Sequence, residues 1–227
     1  MTATLGRRCV AEYVGTAFLV AAVIGSGIAA SRLSPGDTGL QLLENSIATG
    51  AVLVALILAL QSVAAAFNPV VTLVEAALGD RDWRDVPALV VAQVAGAVTG
   101  AVLANLMFDL DAISISTKDR SAGGLWLGEV VATLGLALVI FGVVRSGRGE
   151  TVAYAVGGYI AAAYWFTSST SFANPAVAFA RMFSNTFAGI APSSVPMFVL
   201  MQLIGGGLGV VLIRFLYPAP AAAMEIL

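Results

Sequence analysis

The chain has 227 residues, of which 59% are apolar and 11% are charged, whereas a soluble globular domain carries about 25% charged residues. This composition indicates that the chain folds in lipid. A net charge of −2 offers no attraction for nucleic acid, and a single cysteine, Cys9, excludes an intrachain disulfide. No histidine is present, which disfavours hydrolases and metalloenzymes. We therefore expect no enzyme activity, no catalytic residue, no metal and no cofactor.

Charge-free stretches predict six membrane-spanning helices. In chain order they lie near residues 9–30, 40–60, 87–108, 125–144, 151–166 and 194–217. A bilayer core about 30 Å thick needs about 20 helical residues. The stretch 130–144 has 15 residues and spans the membrane only if Glu129 also lies within it. We interpret the basic start, Arg7-Arg8, as part of a retained first helix, because five further spans follow.

Basic residues in the predicted loops indicate the orientation. One side, which also holds both termini, carries Arg7, Arg8, Arg81, Arg84, Arg145 and Arg148. The other side carries Arg32, Lys118 and Arg120. Because Lys and Arg are in excess on the cytoplasmic side of membrane proteins, we predict a multi-pass protein of the inner (cytoplasmic) membrane with both termini in the cytoplasm.

Two charge-free stretches, 45–74 and 151–180, are 30 residues long and each contains an Asn-Pro dipeptide. Asn is a favoured helix N-cap and Pro suits the first helical position, so Asn68-Pro69 and Asn174-Pro175 each predict a new helix start within the membrane. From Pro69 to Leu78 there are 10 residues, which as a helix span about 15 Å, or half a bilayer. The sequence therefore predicts two re-entrant half-helices.

The two halves of the chain carry matching motifs. Glu12 opens the first half and Glu129 stands at the corresponding place in the second. Each Asn-Pro is followed by a Gln-Gly-Gly set with the same internal spacing, namely Gln93, Gly96 and Gly100, then Gln202, Gly205 and Gly209. We expect these glycines to be close-packing contacts between helices rather than ligand sites. Three spans per half imply that the second copy enters from the opposite side. We predict one all-α transmembrane channel domain over 1–227, with six transmembrane helices, two half-helices and inverted repeats over about 1–115 and 116–227.

The predicted geometry favours a pore. Two half-helix N-termini that meet near the midplane create a positive potential, which repels cations. The segments leading into them, near 63–67 and 169–173, are non-helical backbone at membrane depth, which is tolerated where it lines a water-filled cavity. Their carbonyls would accept hydrogen bonds while Asn68 and Asn174 donate them, which suits a small neutral hydroxylated solute. Glu12 and Glu129 are either proton carriers or acceptors for the lead-in N–H groups, and their matched placement favours the second role.

The paired motifs Asn68-Pro69-Val70 and Asn174-Pro175-Ala176 resemble those of the aquaporin and glycerol-facilitator family, the major intrinsic proteins. The resemblance covers about 9–217. It implies one pore per subunit and a homotetramer in the lipid bilayer. It also implies that the two asparagines contact the permeant and that Glu12 and Glu129 brace the pore loops.

Departures from the family pattern predict a wide filter. Val177 replaces the Arg that usually follows the second motif, and Arg181 lies four residues further on. Thr49 stands where water-selective members carry Phe, Ser171 matches a further filter position, and the fourth position falls within 162–164. The predicted pore-contacting residues are Asn68, Val70, Asn174, Ala176, Thr49, Ser171, Val177 and Tyr164, with structural polar support from Glu12, Glu129, Gln93 and Gln202.

The sequence thus predicts a passive channel for water, glycerol-like polyols and other small uncharged solutes. The pattern over 164–177 is similar to that of bacterial family members associated with arsenic resistance, which implies arsenous acid and methylated arsenicals as solutes. A gradient-coupled transporter that uses Glu12 or Glu129 as its proton carrier is the alternative, because inverted repeats with half-helices also occur in transporters. An adhesive membrane protein that only keeps the fold is a third.

Overall fold

Six long helices and two short ones make up the fold in the computed structural model, which describes residues 3–218. The long helices are α1 (Leu5–Leu33), α2 (Thr38–Leu60), α4 (Val86–Met107), α5 (Gly123–Arg145), α6 (Val152–Phe166) and α8 (Val195–Leu216). The short ones are α3 (Pro69–Leu78) and α7 (Pro175–Ala180). No strand occurs within 3–218, and the predicted all-α fold is confirmed.

Five of the long helices, all except α6, are long and apolar enough to cross a bilayer. The short fourth stretch becomes a full span as predicted, because α5 has 23 residues and includes the buried Glu129. Helix α6 has 15 residues and is preceded by a 3₁₀ turn over Gly149–Thr151. It ends at Phe166 because Thr167 adopts an extended conformation and begins the second lead-in.

Both half-helices begin as the Asn-Pro dipeptides predict. The Asn68 side chain accepts a hydrogen bond from Val70 N at 2.9 Å, and the Asn174 side chain accepts one from Ala176 N at 3.0 Å. Helix α3 has the predicted 10 residues and ends at Gly79, whose φ of 85° is left-handed backbone that favours glycine. Helix α7 is shorter, with six residues, and continues as a 3₁₀ turn over Arg181–Phe183.

Glycines allow the first and last helix of each half to approach closely. A Cβ on Gly96 would lie 2.9 Å from the carbonyl carbon of Tyr13 in α1 and closer still to its oxygen. In the second half, a Cβ on Gly205 would lie 2.6 Å from the carbonyl oxygen of Val130 in α5. Helix α4 thus packs on α1 and α8 packs on α5, and the predicted close-packing role of these glycines agrees with their contacts.

The connections lie on two opposite sides of the helix bundle. We call the side where α1 begins and α8 ends the terminal side, and the other the distal side. On the terminal side, ion pairs join Arg8 to Asp85 at 2.8 Å and Arg145 to Asp80 at 2.9 Å. On the distal side, the segment 108–122 lies against the chain that follows α7, and Ser116 N donates to the Met182 carbonyl at 2.8 Å.

Alanine at position 96 should destabilise the protein, whereas alanine at position 207 should not. A methyl group on Gly96 has no room against the α1 backbone, and overpacking of this kind costs about 1–3 kcal/mol. Gly207 is exposed in α8 with open space around it, so Gly207→Ala should be neutral or stabilise by about 0.5–1 kcal/mol. Melting temperatures of the two purified variants in detergent test this, and a wild-type value for Gly96→Ala would contradict the close approach.

Candidate channel pore

The N-termini of the two half-helices meet inside the bundle and are joined by their asparagines. Asn68 Nδ2 donates to the Ala173 carbonyl at 2.7 Å, and Asn174 Nδ2 donates to the Phe67 carbonyl at 2.7 Å. Each amide therefore bonds the residue that precedes the other Asn-Pro. Since an amide nitrogen carries two hydrogens, each asparagine keeps a second donor.

A buried carboxylate holds the first lead-in, residues 61–68. The two oxygens of Glu12 accept hydrogen bonds from Ala66 N at 2.8 Å and Phe67 N at 2.6 Å. Gln93 Nε2 donates to the same carboxylate at 2.8 Å and to Thr72 Oγ1 at 2.9 Å. The two backbone N–H groups lie outside any helix, and the Glu12 carboxylate supplies the acceptors that a helix would otherwise provide.

The second lead-in, residues 167–174, is held in the same way. The Glu129 carboxylate accepts from Phe172 N and Ala173 N, each at 2.9 Å. Gln202 Nε2 donates to it at 2.5 Å. Both glutamates are fully buried, and neither lies among the residues that line the cavity described below.

In each lead-in, the residue before the asparagine has left-handed backbone, with φ of 49° at Phe67 and 48° at Ala173. Non-glycine residues adopt this conformation at a cost of about 1–2 kcal/mol each, so the surrounding contacts must impose it. The Phe67 ring is locked against Gly15, where a Cβ would clash with the ring. The carbonyls of Phe67 and Ala173 are thereby aimed at the opposite asparagine.

A cavity of about 310 Å³ runs past the junction of the half-helices. One wall is apolar and consists largely of Leu19, Val23, Leu53, Ile57, Leu136, Ile140, Val144, Val152, Val156 and Ile160. The polar part of the lining comes from the two lead-ins and the asparagines that follow them, with Ala65, Ala66, Phe67, Asn68, Ser171, Ala173 and Asn174 among the residues. The carbonyls of Ala65 and Ala66 accept no hydrogen bond from the residues within 3–218. The cavity is therefore amphipathic, with free acceptors along one wall.

The predicted filter residues come together at the distal end of this cavity. Thr49, Tyr164, Ser171 and Val177 all line it, and Thr49 Oγ1 lies 3.2 Å from Tyr164 Oη. Within the predicted interval 162–164, Tyr164 is the residue on the wall. Val70 and Ala176 are buried beside the cavity but do not line it, and the Val70 side chain packs at Gly206.

Arg181 also lies on the cavity wall, although its role was left open by the sequence. Its guanidinium carbon stands 3.5 Å from the centroid of the Phe172 ring, and its Nε donates to the Ala188 carbonyl. The residue is only 2% exposed. Arg181 is the fourth residue after Val177, so it lies about one helical turn further along the same face. That spacing is the signal by which the sequence could have identified it.

Within residues 3–218, no group of three or more His, Cys, Asp or Glu side chains is placed to hold a metal ion. Among the described residues, the only charged side chains on the wall of the cavity are Glu75 and Arg181. Glu75 accepts from Arg81 Nε at 2.6 Å on the terminal side.

Comparisons with known proteins agree with this geometry. The family model described as Major intrinsic protein matches residues 1–151. The chain is 53% identical to aquaglyceroporin AqpS of Rhizobium meliloti (strain 1021), over 93% of this chain and 91% of that protein. It is 34% identical to aquaporin NIP1-2 of Arabidopsis thaliana, over 66% of this chain but only 54% of the plant protein. The fold matches the solved aquaglyceroporin of Plasmodium falciparum with a TM-score of 0.71 at 20% identity, covering 94% and 96% of the two chains.

Glu129→Gln should lower the stability of the protein. The substitution replaces one of the two acceptor oxygens by an NH₂ group, which leaves one of the two backbone N–H donors without an acceptor. An unsatisfied buried N–H costs about 1–3 kcal/mol, so we expect the melting temperature to fall by about 2–10 °C. Glu150→Gln removes the same charge from an exposed position and should leave it unchanged. Thermal unfolding in detergent measures both, and equal melting temperatures would exclude the bracing role.

Proposed function

Since the chain belongs to the major intrinsic protein family and is therefore a membrane channel protein, we propose that it passively conducts small uncharged hydroxylated solutes. These are water, glycerol-like polyols and arsenous acid. The amphipathic cavity at the junction of the half-helices carries this proposal. A polyol presents hydroxyl groups on one side and C–H groups on the other, which match the polar and the apolar wall.

Each solute exchanges its hydrogen bonds to water for bonds along the polar wall. The free carbonyls of Ala65 and Ala66 accept from solute hydroxyls in the first lead-in. At the midplane, the second N–H of Asn68 and of Asn174 donates to a solute oxygen. This series of neutral acceptors and donors lowers the cost of leaving water along the polar wall.

Cations are excluded by positive charge at two levels. The N-termini of α3 and α7 together contribute up to about one elementary charge at the midplane. Arg181 adds a full charge on the wall nearer the distal side. We infer that Arg181, one turn further along the chain, supplies the positive charge that the filter lacks at Val177.

The filter composition supports solutes larger than water. Thr49 and Val177 are smaller than the Phe and Arg that water-selective members carry at these positions. Arsenous acid, like glycerol, is neutral and carries three hydroxyl groups. The resemblance of 164–177 to members associated with arsenic resistance supports arsenous acid and methylated arsenicals as solutes, and the name of the Rhizobium relative supports glycerol.

We further propose the assembly and orientation that the sequence predicted. The matched pairs Glu12 with Glu129 and Gly96 with Gly205 support inverted repeats over 1–115 and 116–227. Exposed apolar side chains around the bundle suit lipid and neighbouring subunits of a homotetramer. The excess of Arg on the terminal side supports a cytoplasmic location for both termini in a bacterial inner membrane.

A coupled transporter is the less favoured function. A proton carrier must exchange its proton with the transport path, but Glu12 and Glu129 do not line the cavity. Each carboxylate instead accepts two backbone N–H groups and a glutamine amide. Protonation would remove acceptors on which the lead-ins depend.

Stopped-flow light scattering on proteoliposomes tests the solute class. We expect glycerol and arsenous acid to enter much faster than into protein-free vesicles, without saturation and without an ion gradient. Thr49→Phe narrows the filter and should slow both solutes by about tenfold or more, since one clash of about 1.4 kcal/mol corresponds to a factor of ten. Leu58→Phe on the exposed face of α2 adds an aromatic ring outside the cavity and should have no effect.

Saturable entry that requires a proton gradient would favour the transporter instead. No entry of any solute, water included, would favour an adhesive role. Entry of water alone would overturn the wide filter.

Asn174→Asp should weaken the exclusion of cations. A carboxylate at the midplane offsets the positive ends of α3 and α7. We expect proton or potassium leak in proteoliposomes to rise by about tenfold or more, as the removal of about 1.4 kcal/mol from a barrier implies. Asn185→Asp adds the same charge at an exposed position that does not line the cavity, and its leak should match wild type. An unchanged leak in Asn174→Asp would count against electrostatic exclusion.

A further inference from the structure

A second cavity, of about 160 Å³, lies at the distal mouth of the pore. Three cationic side chains line it: Lys118 and Arg120 from the segment 108–122, and Arg181 from the turn after α7. Thr38, Asn45 and Thr170 add polar groups. Arg181 lines both cavities, so the second one adjoins the pore directly.

The three cations have no carboxylate partner. None of the ion pairs formed within residues 3–218 includes them. Asp119 lies between Lys118 and Arg120 in sequence, but its carboxylate accepts from Ser194 Oγ at 3.1 Å and does not line the cavity. Three positive charges therefore share one small cavity without an ion-pair partner, and the Glu129 carboxylate, which attracts the two arginines, lines neither cavity.

Neutral groups hold these cations in place. Both arginines lie over the Phe172 ring, with its centroid 4.9 Å from Arg120 Cζ and 3.5 Å from Arg181 Cζ. Arg120 Nε donates to the Gly189 carbonyl at 3.1 Å, and Lys118 Nζ donates to the Phe187 carbonyl at 2.8 Å. Carbonyls and aromatic rings orient a cation without neutralising it, and each cation keeps further N–H donors.

We propose that Lys118, Arg120 and Arg181 form a binding site for a small oxyanion at the distal mouth of the pore. Guanidinium groups present paired donors that match the oxygens of a sulfate, phosphate or carboxylate, and the lysine adds a point charge. Burial of Arg120 and Arg181, 8% and 2% exposed, strengthens their attraction for an anion because water screens them less. The proposal concerns binding at the mouth and does not depend on which neutral solute the pore conducts.

The site should weaken at alkaline pH. Partial burial, together with the charges of Arg120 and Arg181, lowers the pKa of Lys118 to about 8. Asp37, the N-cap of α2, accepts from Leu40 N, and Glu44 Oε1 accepts from Ser34 Oγ; neither residue lines the cavity or pairs with Lys118. Lys118 therefore loses its positive charge as the pH rises through about 8, and the affinity for an oxyanion falls with it.

Equilibrium dialysis of radiolabelled sulfate against the purified full-length protein tests the site, at constant ionic strength set with chloride. We expect saturable binding that Lys118→Met weakens by about fivefold or more, because the substitution removes a charge-assisted hydrogen bond that salt screens only in part. Arg32→Met is the matched control. Arg32 lies on the same side, donates to the Phe108 carbonyl at 2.6 Å and stacks on the Phe108 ring, but lines neither cavity.

The pH dependence gives an independent readout, since sulfate stays a dianion throughout. Between pH 7 and 9 the affinity should fall more steeply in wild type and in Arg32→Met than in Lys118→Met. Lys118 is exposed enough for its substitution to leave the fold intact, which the elution profile checks. No saturable sulfate binding, or equal weakening by Arg32→Met, would overturn the proposal, whatever the permeability of the pore to glycerol.

Discussion

The fold depends on how backbone N–H groups are satisfied where no helix can do so. The lead-ins 61–68 and 167–174 break the helical hydrogen-bond pattern inside a bundle that is embedded in lipid. Glu12 and Glu129 supply the missing acceptors, each to two consecutive N–H groups. Without these carboxylates the half-helices could not begin at mid-depth, because each unsatisfied backbone group in the hydrocarbon region costs several kcal/mol.

The chemistry of the pore follows from this arrangement. The carboxylates bind the lead-in N–H groups from outside the cavity. The carbonyls of Ala65 and Ala66 are therefore left as acceptors beside the cavity. Left-handed backbone at Phe67 and Ala173 turns their carbonyls to the opposite asparagine. One feature, the bracing of two non-helical segments, therefore produces both the polar wall and the fixed midplane donors.

The sequence predicted what depends on short-range chemistry. Asn68-Pro69 and Asn174-Pro175 begin helices because capping and the fixed φ of proline act locally. The matched spacing of Gln and Gly also identified the close helix contacts. Arg120 could not be predicted as part of the mouth, because its contact with Gly189 joins residues 69 apart through an irregular segment. The position of Arg181 depends on less. It follows α7 directly, so only the length of that short helix decides whether the side chain reaches the cavity wall.

The bracing also bears on how solutes move. Alternating access would require a lead-in to change position, and that would expose N–H groups to lipid unless the glutamate moved with it. Glu12 and Glu129 lie in the first third of α1 and α5, and these helices contact α4 and α8 closely at Gly96 and Gly205, which leaves no space for sliding. Moving either half-helix would therefore cost several kcal/mol for each released group. A static, amphipathic path past two fixed asparagines has no such cost, which is why the structure favours passive conduction over coupled transport.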